Sequence, residues 1–351
     1  MLNDIRLKYD KRREYNLKQK AYLKLAIYSL AHFAVDMCCA CIMLSAAKTA
    51  ENFLIYNFFA FAMQMPIGVA ADAINKNSLF AGVGIFFVSA AFLFSSPLAA
   101  AVAAGTGNAM FHIGGGTEVL YESEKTSRLG VFVAPGALGL FFGALLSKTK
   151  GVGVILAVSL IFLGILFFIP GLLCGKSFKT ANGELSLKTD KNGIICVLCA
   201  FIVVLLRSFT GFMSVFSWKT GVYSVLAVLA LALGKAAGGF VCDRIGKGAL
   251  TAISLGLSGV LFLFSNVPAI GLTAVFLFNM SMPVTLDLAA KSFKGARGFS
   301  FGLMTFALFL GFLPTYFGYS AKDNGALLCA LCAVSCAFMF LSVREEKKIA
   351  F

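Results

Sequence analysis

Apolar stretches of about 20 residues recur along the whole chain, and they limit its possible folds more than any other feature. A helix that crosses a bilayer needs roughly 20 apolar residues, and the stretches lack the period-two alternation of a lipid-facing barrel strand. The mean hydropathy is +0.88, and only 13% of the 351 residues are charged, which excludes a water-soluble globular protein. The sequence therefore predicts an all-α integral membrane protein.

Polar breaks divide the chain into about twelve predicted transmembrane helices. They cover residues 22–45, 53–74, 79–95, 97–119, 129–147, 152–174, 193–216, 220–241, 249–265, 267–287, 299–317 and 324–342. Twelve spans use almost the whole length and leave no room for a soluble catalytic or output domain. No nucleophile, base and orienting group occur together either, so we do not expect an enzyme.

Lysine and arginine are distributed unevenly between the two sides of these helices. The connections on one side carry 23 of the 30 basic residues, and those on the other side carry five. The positive-inside rule predicts that the richer side, with both termini, is cytoplasmic in an inner (plasma) membrane. The asymmetry also accounts for the net charge of +14. A nucleic-acid partner is not expected, because acidic residues interrupt the basic N-terminal arm.

The chain has the pattern of a duplicated six-helix unit. We expect an N-terminal arm (1–21), a first bundle (22–174), a linker (175–192), a second bundle (193–342) and a tail (343–351). Residues 68–77 match residues 239–248 at four of ten positions, with an offset of 171. Parallel repeats of this kind place a substrate site near the midplane, between two pseudo-symmetric bundles.

Three segments carry a family resemblance. Residues 239–247 resemble the loop motif Gly-x-x-x-Asp-Arg-x-Gly-Lys/Arg of the major facilitator superfamily. Residues 32–36 (His-Phe-Ala-Val-Asp) and 107–112 (Gly-Asn-Ala-Met-Phe-His) are similar to segments of the fosmidomycin-resistance-type efflux transporters within it, although Ile113 stands where that family has proline. The resemblance implies the major facilitator fold, with helices one, four, seven and ten around a central cavity, and proton-driven efflux.

The two histidines of the chain and one aspartate are candidates for proton binding. His32 and Asp36 are four residues apart and share one helix face, where the carboxylate can orient the imidazole. The resemblance places His112 on the same water-filled wall. Two alternatives stay open: the three side chains could only bridge helices, or they could be three ligands of a divalent metal, for which the sequence offers no evident fourth ligand.

Further substrate-site candidates are related by the offset of 171. It pairs Asp36 with Arg207, and Asn108 with Asn279. Arg207 is permanently charged and forked, which suits a carboxylate or phosphonate of a substrate, or Asp36 when no substrate is bound.

A second group of charged residues is predicted to form gates. Asp72 and Asp243 end their helices on the basic side, near the N-termini of helices of the opposite bundle, where the helix dipole favours an anion. The resemblance implies that they latch the cytoplasmic gate, with Arg244 and Lys247 completing the second latch. Lys235 lies two turns further inward and could contact the latch or snorkel.

These residues predict a secondary active transporter that works by alternating access. We expect proton-coupled antiport, as efflux of a small organic, anionic or drug-like compound, with uptake of an organic acid or sugar as the alternative. A divalent-metal transporter or a sensor is a further alternative. We expect no cofactor beyond the proton gradient, and a monomer in the lipid bilayer.

Overall fold

Twelve helical segments follow one another in the part of the chain that the structure describes. This computed structural model describes residues 2–122, 125–169, 172–173 and 185–349, with side chains described from residue 19 onward and not at 122. The helices are α1 Leu2–Ser45, α2 Ala50–Ile74, α3 Asn77–Ala91, α4 Pro97–Glu122, α5 Thr126–Leu146, α6 Val152–Leu166, α7 Lys191–Met213, α8 Val222–Ile245, α9 Lys247–Phe262, α10 Pro268–Ser292, α11 Arg297–Tyr316 and α12 Gly325–Glu346. Two short strands, β1 Ser214–Val215 and β2 Ala321–Lys322, pair in parallel.

The predicted all-α membrane fold is confirmed. Eight helices are long and apolar enough to cross a membrane, α3, α6 and α9 are shorter apolar helices, and α4 is 26 residues long. The main difference is at the start, where α1 already begins at Leu2 and includes the predicted arm. Most of the predicted linker, residues 175–184, lies outside the described residues, while 185–190 precede α7 as coil. The domain boundaries remain predictions.

Three helices depart from regular α-helical hydrogen bonding near the centre of their spans. Helix α2 contains a π-helical segment at Phe58–Ala62, four residues before Pro66, whose missing N–H cannot bond the carbonyl of Ala62. Helix α10 is interrupted between Asn279 and Met282, next to Pro283. Helix α9 contains a second π segment, Ala252–Leu257. Proline therefore explains the first two irregularities; nothing in the structure explains the third.

Helix α5 lies directly on α1, and glycines make this close contact possible. A Cβ on Gly139 would lie 2.3 Å from the carbonyl oxygen of Phe33, and one on Gly143 would lie 2.1 Å from that of Met37. Small residues let transmembrane helices approach this closely. Pro135 leaves the carbonyl of Val131 without its usual helical donor, and Ser29 Oγ lies 3.4 Å from that oxygen. The α1–α5 contact thus fixes the position of the two helices relative to each other, and the candidate site described in the next subsection lies next to this contact.

We call the side of the protein with both chain ends the terminal side; it carries Leu2, Ile349 and the connections α2–α3, α4–α5, α8–α9 and α10–α11. Ion pairs are concentrated on this side. In the first half, Lys24 of α1 binds Glu118 of α4 in a buried pair. In the second half, Lys247 lies 2.7 Å from Asp287 and also binds Glu346, which joins α9, α10 and α12. A buried pair is costly to break by removal of one partner, so these contacts tie helices together within each half.

On the opposite side, which we call the far side, a half-buried aspartate joins two connections of the second half. Asp323 has a positive φ of 49° and follows β2. Its carboxylate accepts hydrogen bonds from the hydroxyl and the backbone N–H of Ser217, the latter at 2.9 Å. These donors, the hydroxyl first, hold the pKa of Asp323 below its ordinary value.

Replacing Ser217 with alanine should lower stability in a pH-dependent way. A folded-state pKa below the unfolded one stabilises the protein above the ordinary pKa of about 3.9, and this contribution is lost as the pH falls further. We expect Ser217→Ala to melt below wild type at pH 7 and the difference to shrink below about pH 4, measured by thermal unfolding in detergent. Ser224→Ala is the control, because that hydroxyl bonds only the carbonyl of Lys219. A difference that does not vary with pH would contradict this role.

Candidate functional site

A buried cluster of two histidines, one aspartate and one asparagine lies between α1 and α4. His32 Nε2 is 3.2 Å from Asp36 Oδ2, one helical turn along α1. His112 Nε2 is 2.8 Å from His32 Nε2 and 3.7 Å from Asp36 Oδ1. Asn108 donates from Nδ2 to Asp36 Oδ1 at 2.9 Å. The structure therefore brings together His32, Asp36, Asn108 and His112, four of the six residues predicted for the proton and substrate site; we call them the His–Asp cluster.

Backbone carbonyls fix the orientation of both imidazoles. His32 Nδ1 lies 2.7 Å from the carbonyl oxygen of Phe132 on α5, and His112 Nδ1 lies 2.9 Å from that of Asn108. A carbonyl oxygen can only accept, so each Nδ1 carries a hydrogen. In the neutral form, each ring then has its lone pair on Nε2.

The two Nε2 atoms consequently need a positive charge between them. Two neutral rings would present lone pairs to each other at 2.8 Å, which is a hydrogen-bond distance without a hydrogen. One proton shared by the pair turns this contact into an N–H···N bond, and Asp36 supplies the counter-charge. This geometry suits one proton held between the two imidazoles, next to a carboxylate.

In the part of the chain that is described, the group of side chains that could coordinate a metal ion is His32, Asp36 and His112. Their ligand atoms all lie within 4.8 Å of one another. Two nitrogen ligands of a tetrahedral zinc ion at its usual bond length would be about 3.3 Å apart. The observed 2.8 Å between the Nε2 atoms is shorter and matches a hydrogen bond. The geometry therefore favours a proton over a metal ion.

Helix α5 closes the cluster, a contribution that sequence reasoning missed. A Cβ on Gly136 would lie 2.3 Å from His32 Nε2 and 2.5 Å from Asp36 Oδ2, so only glycine leaves room for the cluster there. The ring centroids of Phe132 and Phe111 lie 4.9 and 6.2 Å from that of His32, and the two phenyl rings surround the imidazole with apolar surface. The glycines of predicted helix five were a signal for close packing, but not for the side chains against which they pack.

Two cations of the second half belong to the same region. Lys235 of α8 lies within electrostatic range of Asp36, His112 and Arg207. It was predicted next to the gate, and the structure places it near the His–Asp cluster. Arg207 of α7 is 7% exposed and forms no ion pair with any described residue. Asn279 forms no hydrogen bond with the cluster among the described residues: its amide donates to the carbonyl of Val275 on its own helix, at 2.8 Å.

The two gate aspartates each bind the N-terminus of a helix in the other half. Asp72, near the end of α2, accepts from the N–H groups of Gly298 and Phe299 at 2.9 and 2.8 Å. Asp243, near the end of α8, accepts from those of Thr126 and Ser127 at 2.9 and 3.1 Å. A carboxylate on free N–H groups at a positive dipole end is favourable. The two halves are therefore in direct contact on the terminal side.

The basic residues predicted for the second latch make no ion pair or hydrogen bond with the first half among the described residues. Lys247 binds Asp287 and Glu346 within its own half, and Arg244 is exposed without an ion pair to any described residue. Arg297, which sequence reasoning did not single out, crosses between the halves: it donates to the carbonyl of Leu120 and lies 4.6 Å from the ring centroid of Tyr121. Its position at the start of a helix gave no signal for this contact.

Solved structures with the same fold are transporters. The chain superposes on the E. coli fucose:proton symporter FucP with a TM-score of 0.64 and 15% identity, over 92% of this chain and 98% of that one. It superposes on the human organic anion transporter MFSD10 (TM-score 0.66, 12% identity, 92% and 99% covered) and on the proton:xylose symporter XylE (0.63, 12%, 92% and 96%). No family model and no curated protein matches the sequence. The chain has the fold of major facilitator superfamily transporters.

Proposed function

We propose that this protein is a proton-coupled secondary transporter of the major facilitator superfamily that works by alternating access. The observation that carries the proposal is the contact between His32 Nε2 and His112 Nε2, which needs a proton, beside the carboxylate of Asp36. Charged groups inside a membrane protein are costly and are retained where they serve a function. A titratable group that can exchange a proton with each side in turn is what coupling to a proton gradient requires.

The contacts between the halves support alternating access. On the terminal side, Asp72 and Asp243 join the halves through backbone N–H groups, which supports a state closed on that side. A transporter must break these contacts to open that side. We propose that Asp72 and Asp243 are the gate, and that the structure represents the state closed on the terminal side.

The direction of transport follows from the sequence resemblance. We propose antiport, in which a proton enters the His–Asp cluster as a small organic compound leaves the cell, because residues 32–36 and 107–112 resemble the fosmidomycin-resistance-type transporters. Symport is the second candidate, and two neighbours in fold, FucP and XylE, are named as proton symporters. We further propose that the protein is a monomer in the inner membrane with both termini in the cytoplasm, as the basic residues indicate.

A pH-sensitive dye inside proteoliposomes distinguishes the two directions of coupling. When a transported compound is added outside vesicles that start at equal pH, antiport should raise the internal pH, because each entering molecule expels a proton. Symport should lower it. A compound library screened for thermal stabilisation of the purified protein supplies the compounds to test. Transport of a stabilising compound with no change in internal pH would overturn the proposal.

A further inference from the structure

Arg207 is a buried cation without an ion-pair partner in the described part of the chain. It is 7% exposed, and its Nη1 atom has no hydrogen-bond partner among the described residues. Thr210, one turn further along α7, also has a buried hydroxyl without a partner there. Because the guanidinium stays protonated in a protein, a buried arginine has to be compensated by an anion. No described residue supplies that anion.

Lys235 adds a second positive charge to the same region. It is half-buried, and neither a hydrogen bond nor an ion pair links its ammonium group to the described part of the chain. It lies within electrostatic range of Arg207, which repels it, and of Asp36, which attracts it. Like charges held near each other away from bulk water raise the energy of both.

The charges of the region do not balance. Asp36 is the carboxylate of the His–Asp cluster, and it is already bonded to Asn108 and His32. When the histidine pair holds its proton, Asp36 balances that charge, and Arg207 and Lys235 leave two positive charges over. A ligand with two negative charges would neutralise them.

We infer that Arg207 and Lys235 form a binding site for a small organic dianion, carrying either a phosphoryl group or two carboxylates. The flat guanidinium can bind two oxygens side by side, while the ammonium group acts as a point charge that adapts to the second oxygen or the second group. The inference names the substrate class of the same site. It rests on the proposed function through the cluster proton, because the charge count is two only in a state that holds this proton and the ligand together, as in the symport candidate. Strict antiport, with the proton released before the ligand binds, would leave one positive charge and favour a monoanion such as benzoate, and dianions that bind no more tightly than benzoate would overturn the inference.

A binding experiment with the purified full-length protein tests this inference, and it uses four probes that share a benzene ring. The probes are benzamide (neutral), benzoate (one charge), phthalate (two carboxylates) and phenyl phosphate (a phosphoryl group), measured by calorimetry at pH 6.5 without a gradient. We expect at least one dianion to bind tenfold or more tightly than benzoate, and benzamide not to bind. The better of the two dianions identifies the head group. Benzamide binding as tightly as the anions, or no binding of either dianion, overturns the inference.

Variants then assign the binding to the two side chains. Arg207→Gln and Lys235→Gln should each weaken dianion binding at least tenfold, and Arg207→Lys should restore part of it, which controls for misfolding. Arg344→Gln and Lys219→Gln, both exposed cations outside the site, are matched controls and should bind as wild type. Unchanged dianion binding in Arg207→Gln and Lys235→Gln would contradict the inference. Because this assay needs no proton movement, it fails or succeeds independently of the pH change in proteoliposomes.

Discussion

Asp36→Asn is expected to reduce transport driven by a pH gradient by about 100-fold or more. The amide keeps the size of the carboxylate but removes the counter-charge of the proton that we propose His32 and His112 share. Leaving a buried charge without its partner costs about 3–5 kcal/mol, which exceeds the 2.7 kcal/mol that a 100-fold effect requires. Uptake into proteoliposomes with an imposed pH gradient measures this loss.

The same variant separates coupling from substrate binding. Exchange of internal for external substrate moves no net proton, so it should fall by less than tenfold in Asp36→Asn. Glu51→Gln is the matched control, since it makes the same acid-to-amide change at an exposed position at the start of α2. If Asp36→Asn kept gradient-driven transport with an unchanged pH dependence, Asp36 would not belong to the proton site.

Gly68→Ala is expected to prevent closure on the terminal side. A Cβ at this position would lie 2.2 Å from the carbonyl oxygen of Gly298 and 2.5 Å from its carbonyl carbon, so α2 and α11 would have to separate. Overpacking against backbone costs about 1–3 kcal/mol or more, which reduces the closed population about 5- to 150-fold. Transport should fall about fivefold or more, because alternating access needs both states.

Spin labels at positions 76 and 294, on exposed lysines of the terminal side, report the closure directly. With Lys76→Cys and Lys294→Cys as label sites, Gly68→Ala should shift the pulsed-EPR distance distribution to longer values. Gly256→Ala is the control, since a Cβ there meets no atom within 4 Å. An unshifted distribution in Gly68→Ala would show that this contact does not govern the gate.

The number and type of the helices could be predicted because each span is a local stretch of apolar residues long enough to cross the bilayer. The position of Asp72 and Asp243 near opposing helix N-termini could also be anticipated, since the loop motif is repeated at a fixed offset. The interruption of α10 was harder to foresee, although Pro283 was visible, because proline does not always break a transmembrane helix.

The partners of the site residues could not be predicted, because they depend on how helices rotate and cross. His32 and Asp36 share a face of one helix by spacing alone, but the 2.8 Å contact with His112 depends on the packing of α1 against α4. Lys235 illustrates the same limit: its distance along α8 from Asp243 suggested the gate, whereas its electrostatic interaction with Asp36 depends on how the helices cross. Asn279 stands 171 residues after Asn108 and was therefore expected in an equivalent place, yet its amide forms a hydrogen bond with a carbonyl of its own helix.

The gate aspartates have a consequence for how freely this sequence can vary. Asp72 and Asp243 accept hydrogen bonds from main-chain N–H groups, so the side chains of the donor residues matter little to the bonds themselves. For the bonds themselves, Thr126, Ser127 and Phe299 need only keep their N–H groups, which rules out proline. The acceptor side chains at positions 72 and 243 are therefore the part of each contact on which the bond depends, while the burial of Thr126 and Ser127 limits their side chains through packing alone.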